Sequence, residues 1–350
     1  MPPSMSDDTP ADNRPRLLLV DDEPINLMLL RHLLQQDYRL AFAKDGTRAL
    51  ELARQQPPDL ILLDVIMPGM SGYDTCRALK AQPETARVPV IFITSADDPS
   101  DEATGFAAGA VDFVNRPFAA SVVRSRIVTH LALVRADKLR LVHQQVVRCL
   151  GIAAEYKDNE SGLHIIRVTQ YARILAEAVG WSPDQVEDLM SAVPLHDVGK
   201  IGIPDVILQK PGRLSADEMA VMQQHAEIGA RIIGQHPDGM LAMAARIALS
   251  HHEKWNGTGY PLRLKAEAIP IEARIVAVCD VFDALTSDRP YKRAWTIDDA
   301  LAFLQREAGS HFDPTLTAAF IRNADHIRKV YERWCEDVSE VHATMPAFDI

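Results

Sequence analysis

Glu160-x3-His164, His196-Asp197-x2-Lys200, His225, His251-His252 and Asp280 gather five histidines, three carboxylates and a lysine in the second half of this chain. A packed core does not ask for that mixture, because buried ionisable groups are costly unless they pair or bind a metal. The set therefore points to a multinuclear metal centre. Imidazole and carboxylate donors without thiolate favour iron, manganese or zinc and argue against a cysteine-rich structural zinc site. Two bridged metals about 3.5 to 4 Å apart acidify a shared water to a pKa near 7 and clamp a phosphoryl oxygen. The chemistry best served is phosphodiester hydrolysis. A second set, all oxygen, lies in the first half: Asp21 and Asp22, then Asp64, with Thr94, Ser95 and Arg116. Three converging carboxylates repel one another unless a hard cation such as Mg²⁺ sits between them, and one of them could then accept a phosphoryl group.

The elements that must position these residues differ between the halves. From Arg16 to about Leu133 short apolar runs (RLLLV, LAFA, LILL, VPVIFIT, VDFV) alternate with amphipathic stretches such as INLMLLRHLL, which predicts a parallel sheet with helices on both faces. The acids and hydroxyls follow the runs, so they should collect at the carboxyl edge of the sheet, where open α/β sheets bind ligands. From Gly151 to about Arg333 the spacing is mostly helical, and an all-α bundle lets side chains from several helices share one cavity. Glu160 and His164, four apart, should share a helix face. His196 and Asp197 should stand about 100° apart around a helix, so that the carboxylate serves a second metal or bridges two. His225 is expected midway along an amphipathic helix and Asp280 at the end of the run IVAVCD. Between the halves, roughly residues 120 to 155 hold one glycine, Gly151, and no proline. Ile127, Leu131, Val134, Leu141 and Val142 recur there at helical spacing, which predicts one long helix lying on its own domain or forming a two-stranded seam. A homodimer is expected, with His130 and His143 as surface or seam residues.

At 350 residues, 47% hydrophobic and 24% charged, the chain is long enough for two globular domains. A net charge of -11 excludes a nucleic-acid-coating surface. Cys76, Cys149, Cys279 and Cys335 form no C-x-x-C, so neither a zinc knuckle nor a disulfide framework is expected, and a reducing cytoplasm fits. Residues 1–14 read as a disordered leader without a signal-peptide core, and no apolar run is long enough for membrane insertion.

The strings VDDEP, LLDVIMPGMSGYD, FITS and FVNRPF resemble a response-regulator receiver domain. The resemblance implies a flavodoxin-like α/β fold with a five-stranded parallel sheet in the order 2-1-3-4-5. It also implies phosphorylation of Asp64 by a cognate sensor histidine kinase, Mg²⁺ at Asp21, Asp22 and Asp64, a switch hydroxyl at Thr94 and a switch aromatic at Phe113. Arg116 stands where that family has lysine, and the two cations are not interchangeable. In the second half ESGLHIIRV, HDVGKIGIPD, MQQHAEIG, HHEKWNGTGYP, RIVAVCDVFDALTSDRPYKRA and HFDP resemble an HD-GYP domain, an all-α HD-type metal phosphohydrolase that degrades cyclic di-GMP. The implied ligands are Glu160, His164, His196, Asp197, His225, His251, His252 and Asp280. They would hold two metals, or three where Glu160 takes part, with iron or manganese ahead of zinc, nickel or cobalt. The same resemblance implies catalytic roles for His196, Asp197 and Lys200, and substrate contacts from Lys200, Tyr260, Arg289 and Lys292. His311 and Asp313 are expected to cap the last helix, and Asp283 and Asp288 to support ligands.

Two departures stand out. Arg263 and Ala266 occupy loop positions where the family has glycine, so a positive φ at either would be strained, and Lys157 replaces an arginine. The expected organisation is multidomain: leader 1–14, receiver 15–133, helical linker 134–154, phosphodiesterase domain 155–337 and tail 338–350. The expected activity is hydrolysis of cyclic di-GMP to pGpG or GMP under control of Asp64. The alternatives are a nucleotide-binding or protein-binding adaptor and a hydrolase of another cyclic dinucleotide such as cyclic GMP-AMP.

Overall fold

The computed structural model describes residues 12–94, 99–117, 119–158, 162–288 and 293–334. The chain divides into two compact units, with the division at Arg140 and Leu141. The expected leader up to residue 11 and the expected tail lie outside the described residues.

In the first unit the apolar runs become strands β1 (Arg16–Val20), β2 (Arg39–Ala43), β3 (Leu60–Asp64), β4 (Val90–Thr94) and β5 (Asp112–Asn115). All pair in parallel in the order β2-β1-β3-β4-β5. Every residue of β3 and β4 is buried, as central parallel strands covered on both faces require, and their sequences are correspondingly apolar throughout. Alternate residues feed two cores. Leu18, Ile61, Leu63 and Phe92 face one, while Leu17, Leu19, Leu62, Ile91 and Val114 face the other. The register sets Val20 beside Leu63, Asp64 beside Ile93 and Thr94 beside Asn115. Asp21, Asp64, Thr94 and Arg116 thereby reach one edge.

A single helix, Ala120–Lys157, follows the sheet. Its apolar residues differ in setting along its length. Ile127 and Leu131 are buried in the receiver core, whereas Val142 is half exposed. His130 Nε2 lies 2.8 Å from Asp112, which also pairs with Arg126 at 2.9 Å.

The second unit is helical, and among the described residues its strand content is one isolated bridge, Ala308 with Phe312. The helices Leu163–Ala178, Pro183–Ala192, Gly239–Ser250 and Ile271–Thr286 pack around Tyr171, Phe282 and Phe320, whose rings meet edge to face at 5.1 to 6.2 Å. The Ile271–Thr286 helix is buried along most of its length, which explains why IVAVCDVF lacks a polar stripe. Asp280 closes the run IVAVCD within this helix.

Three local expectations are corrected. His196 and Asp197 are not on an α-helix. They occupy the turn between two 3₁₀ segments, Val193–Leu195 and Val198–Gly202, because Pro194 interrupts the preceding helix and the glycines at 199 and 202 leave no regular periodicity. His225 opens the helix His225–Ile233 instead of lying midway along one. Asp313 does cap a helix, accepting from Thr315 N at 2.8 Å, but this is Pro314–Arg322, and Ala324–Arg333 follows it.

Candidate metal centre

In the second unit two groups of donors lie close together. The ligand atoms of Asp197, His225, His251 and His252 are all within 4.8 Å of one another, and so are those of His164, His196 and Asp280. Asp197 joins them. Its Oδ1 is 3.3 Å from His225 Nε2 and 3.5 Å from His251 Nε2, while its Oδ2 is 3.4 Å from His196 Nε2. One carboxylate thus presents an oxygen to each group.

The imidazoles are fixed from behind. Nδ1 of His196 donates to Val193 O at 2.9 Å, Nδ1 of His225 to Met222 O at 2.7 Å, and Nδ1 of His251 to Ile247 O at 3.0 Å. A carbonyl oxygen can only accept, so each ring keeps its proton on Nδ1 and turns the Nε2 lone pair inward. His164 Nδ1 donates to Asp283 at 2.8 Å, and Arg167 clamps both oxygens of the same carboxylate at 2.7 and 2.9 Å. Burial works against ionising Asp283, yet Arg167 and His164 hold its carboxyl below the usual range. Such partners orient a metal-ligating histidine and raise its basicity.

The inward atoms fit divalent cations. Nε2 of His196, His225 and His251 and Oδ1 of Asp197 are buried without a hydrogen-bond partner, an arrangement that costs free energy unless a cation satisfies it. Burial, reinforced by His251 and His225, holds His252 well below its ordinary pKa, so it stays a neutral donor. Burial opposes charge on Asp197, but Lys200 and His196 outweigh it and keep the group ionised. The set of five imidazoles and two carboxylates suits iron, manganese or zinc.

Lys200 bridges Asp158 at 2.6 Å and Asp197 at 2.8 Å. Tyr260 stacks on His252 with ring centroids 4.8 Å apart and meets His225 edge-on at 6.3 Å. The loop carrying Tyr260 is held by Glu253, a buried carboxylate that accepts from Leu262 N at 2.7 Å and Leu264 N at 3.0 Å. Gly257 takes φ +84, whereas Gly259 is needed for close approach, since a Cβ there would lie 2.3 Å from Lys254 N. Arg263 and Ala266 do adopt positive φ, 54° and 52°, at a cost of about 1 to 2 kcal/mol each. Gly199 is another close approach. A Cβ on it would stand 1.9 Å from the carbonyl oxygen of His225 and 2.5 Å from Gly229 N. The turn bearing His196-Asp197 and the helix bearing His225 therefore touch backbone to backbone.

Glu160, Arg289 and Lys292 lie outside the described residues. Sequence reasoning missed Glu155, which is buried with Oε1 3.6 Å from His164 Nε2, as well as Asp158, Glu253 and Arg167. The available signal was an acid inside an apolar helical run (GIAAE) and another directly after His251-His252. Lys157, the departure from arginine, donates to Ile201 O and Ile203 O at 2.8 and 2.7 Å. His311 stacks on Phe312 at 4.2 Å, and burial with Lys254 nearby pushes its pKa down to about 4.

In the first unit Asp21, Asp22 and Asp64 present oxygens within 4.8 Å of one another. Arg116 donates to Asp21 and, at 3.4 Å, to Asp64. Burial raises the Asp64 pKa to about 6 even though Arg116 opposes it. Thr94 is buried, and Phe113 packs between Phe92 and Phe106 at 5.5 and 5.0 Å. The acidic oxygens suit Mg²⁺.

A parallel sheet with an acid pocket at its carboxyl edge, followed by a helical unit with clustered histidines, defines a receiver domain joined to an HD domain. Residues 17–128 match the response regulator receiver domain and residues 136–316 the HD domain. A probable cyclic di-GMP phosphodiesterase of Vibrio cholerae is 37% identical over 356 residues, covering 92% of this chain and 81% of that protein. The cyclic di-GMP phosphodiesterase response regulator RpfG of Xanthomonas campestris is 36% identical, covering 91% of this chain and 90% of that protein. A 3'3'-cGAMP-specific phosphodiesterase of Vibrio cholerae is 42% identical over 187 residues, covering 53% of this chain and 36% of that protein. The chain belongs to the family of response regulators that carry an HD domain. No helix among the described residues is long and apolar enough to cross a membrane.

Proposed function

We propose that this chain is a cytoplasmic response regulator that hydrolyses cyclic di-GMP to pGpG or GMP. The observation that carries the reading is Asp197, whose two oxygens face two separate groups of histidine nitrogens. His164, His196 and Asp280 would hold one divalent metal, and His225, His251 and His252 a second, with Asp197 shared. Glu160 is the residue we assign to a third. When bound, such cations supply Lewis acidity to a phosphoryl group and acidify a water nucleophile. The chain's own groups do the rest. Nδ1 bonds to carbonyls and to Asp283 fix the ring faces, Asp158 and Asp197 hold the Lys200 ammonium where it can meet the scissile phosphate or its leaving oxygen, and Tyr260 shapes the loop beside them. Arg289 and Lys292 are assigned to the phosphates.

The relatives named as cyclic di-GMP phosphodiesterases support this substrate, because they align along almost the whole chain. A second reading, a mixed cyclic GMP-AMP substrate, is supported by the cGAMP-specific relative, which is as similar over about half of the chain (42%) as a relative named a cyclic di-GMP phosphodiesterase. In the receiver, a sensor histidine kinase would phosphorylate Asp64 with Mg²⁺ at Asp21, Asp22 and Asp64. Thr94 and Phe113 would respond, and the Ala120–Lys157 helix would carry the change to a homodimeric catalytic domain, within the boundaries 15–133, 134–154 and 155–337.

The test is anaerobic loading with Fe²⁺ or Mn²⁺, metal analysis, and chromatography of cyclic di-GMP products for wild type and His196→Ala/Asp197→Ala. Two to three metals per chain with turnover that vanishes in the double variant is the expected result. Full metal occupancy without any product would overturn it in favour of an adaptor.

A further inference from the structure

Beside the candidate metal centre a cleft of about 520 Å³ is lined by Gln223, Glu227, Thr258, Tyr260 and Arg263 among others. It adjoins the histidine cluster, because Gln223 and Glu227 bracket His225 in sequence and Tyr260 packs on both His225 and His252. Its size falls within the range of about 300 to 1,000 Å³ typical of small-molecule sites. Two opposite charges, Glu227 and Arg263, line it, and among the described residues neither side chain makes an ion pair or a hydrogen bond.

Arg263 is held there against its backbone preference. Its φ is 54°, and Glu253 grips the N–H groups on either side, at Leu262 and Leu264. Side chains kept in a sparsely populated conformation by their surroundings cluster at ligand-binding sites. A glycine would relieve the strain, yet an arginine stands here with its side chain lining the cleft.

We propose that the cleft reads a guanine base, with Arg263 and Glu227 as its specificity-determining residues. This deepens the hydrolase reading above and rests on it. Guanine offers O6 and N7 as adjacent acceptors, which a guanidinium spans with two parallel hydrogen bonds. Its N1–H and N2–H₂ donors match a carboxylate, which only accepts. Adenine reverses both: an amino donor would face Arg263 and an unprotonated N1 would face Glu227. A matched bidentate pair discriminates by about 10- to 100-fold, so the cleft would favour cyclic di-GMP over the mixed dinucleotide and favour the all-adenine one least.

The experiment measures kcat/KM for cyclic di-GMP, 3'3'-cGAMP, the all-adenine cyclic dinucleotide and the base-free diester bis(p-nitrophenyl) phosphate, in wild type, Glu227→Gln, Arg263→Ala and Arg263→Lys. Calorimetric binding of the three dinucleotides is measured in parallel. Wild type should prefer guanine over adenine at least 10-fold in binding and turnover. Glu227→Gln should collapse that ratio and lower the ratio of cyclic di-GMP to base-free turnover about 10-fold or more. Arg263→Lys should lose nearly as much selectivity as Arg263→Ala, since an ammonium cannot span O6 and N7. Unchanged selectivity in Glu227→Gln, or full selectivity retained by Arg263→Lys, would overturn the proposal, the latter marking Arg263 as a phosphate cation only. If wild type cuts the base-free diester but no dinucleotide, the hydrolase reading fails on its own, and the binding ratios still decide the cleft.

Discussion

The two acid-bearing clusters of this molecule solve the same electrostatic problem in opposite ways. In the receiver, Asp21 and Asp64 share the guanidinium of Arg116, so the pocket carries its own counter-ion within the fold. In the helical unit the counter-ion is not built in on the histidine side. Nε2 of His196, His225 and His251 and Oδ1 of Asp197 are buried without a partner, while Nδ1 bonds lock the rings in that orientation. A pocket that supplies its own cation can exchange an added one at small cost. A pocket whose donors converge on a common point is organised for a resident ion, because removing it restores the full desolvation penalty of each lone pair.

The contrast can be broken at several places, beginning with the most severe. Asp197→Asn removes the charge shared by both histidine groups and is expected to lower turnover by about a thousandfold or more, with metal content falling below one ion per chain. Retention of two ions would show that the carboxylate does not join the groups. Asp283→Asn leaves every proposed ligand in place but weakens the support of His164. Competition with a chelator should reveal a loss of metal affinity of about 10- to 100-fold, and an unchanged affinity would reduce the Asp283-Arg167 clamp to packing. In the receiver, Arg116→Lys exchanges a two-pronged cation for a point charge. The Mg²⁺ concentration that half-saturates labelling of Asp64 by a small acyl phosphate should fall by roughly tenfold, accompanied by Mg²⁺-dependent hydrogen-exchange protection at the ends of β1 and β3. Identical curves for the two proteins would mean that Arg116 does not compete with the metal. The smallest effect belongs to the loop after Pro261. Ala266→Gly should stabilise the helical unit by about 1 kcal/mol, read as a rise in thermal midpoint, and a fall would show that the left-handed conformation is not strained.

How far the sequence carries depends on which physical signal each residue leaves. Strands β1 to β5 and the placement of Asp21, Asp64 and Arg116 follow from apolar runs that end in polar residues, a local pattern. The glycine-like conformations of Arg263 and Ala266 were also legible, as departures from a loop that resembles a glycine-bearing one. The setting of His196-Asp197 between two 3₁₀ segments was not, because such short elements have no periodicity to read. His225 is harder to place for a related reason: MQQHAEIG contains neither glycine nor proline at the break between the helices ending at Met222 and beginning at His225. For Glu155 and Glu253 the sequence carries only a weak signal, an acid in an apolar run and an acid after two histidines, and neither signal shows which group the acid meets. Their importance comes from His164, which the next helix brings beside Glu155, and from the N–H groups of Leu262 and Leu264 that Glu253 accepts.

The bareness of Gly199 gives the site an unusual kind of gauge. With no side chain between the turn and the carbonyl oxygen of His225, the separation of the two main chains that carry Asp197 and His225 is set by backbone contact. Even one methyl group at position 199 would have to push the turn and the helix apart, and with them the two donors that Asp197 and His225 present.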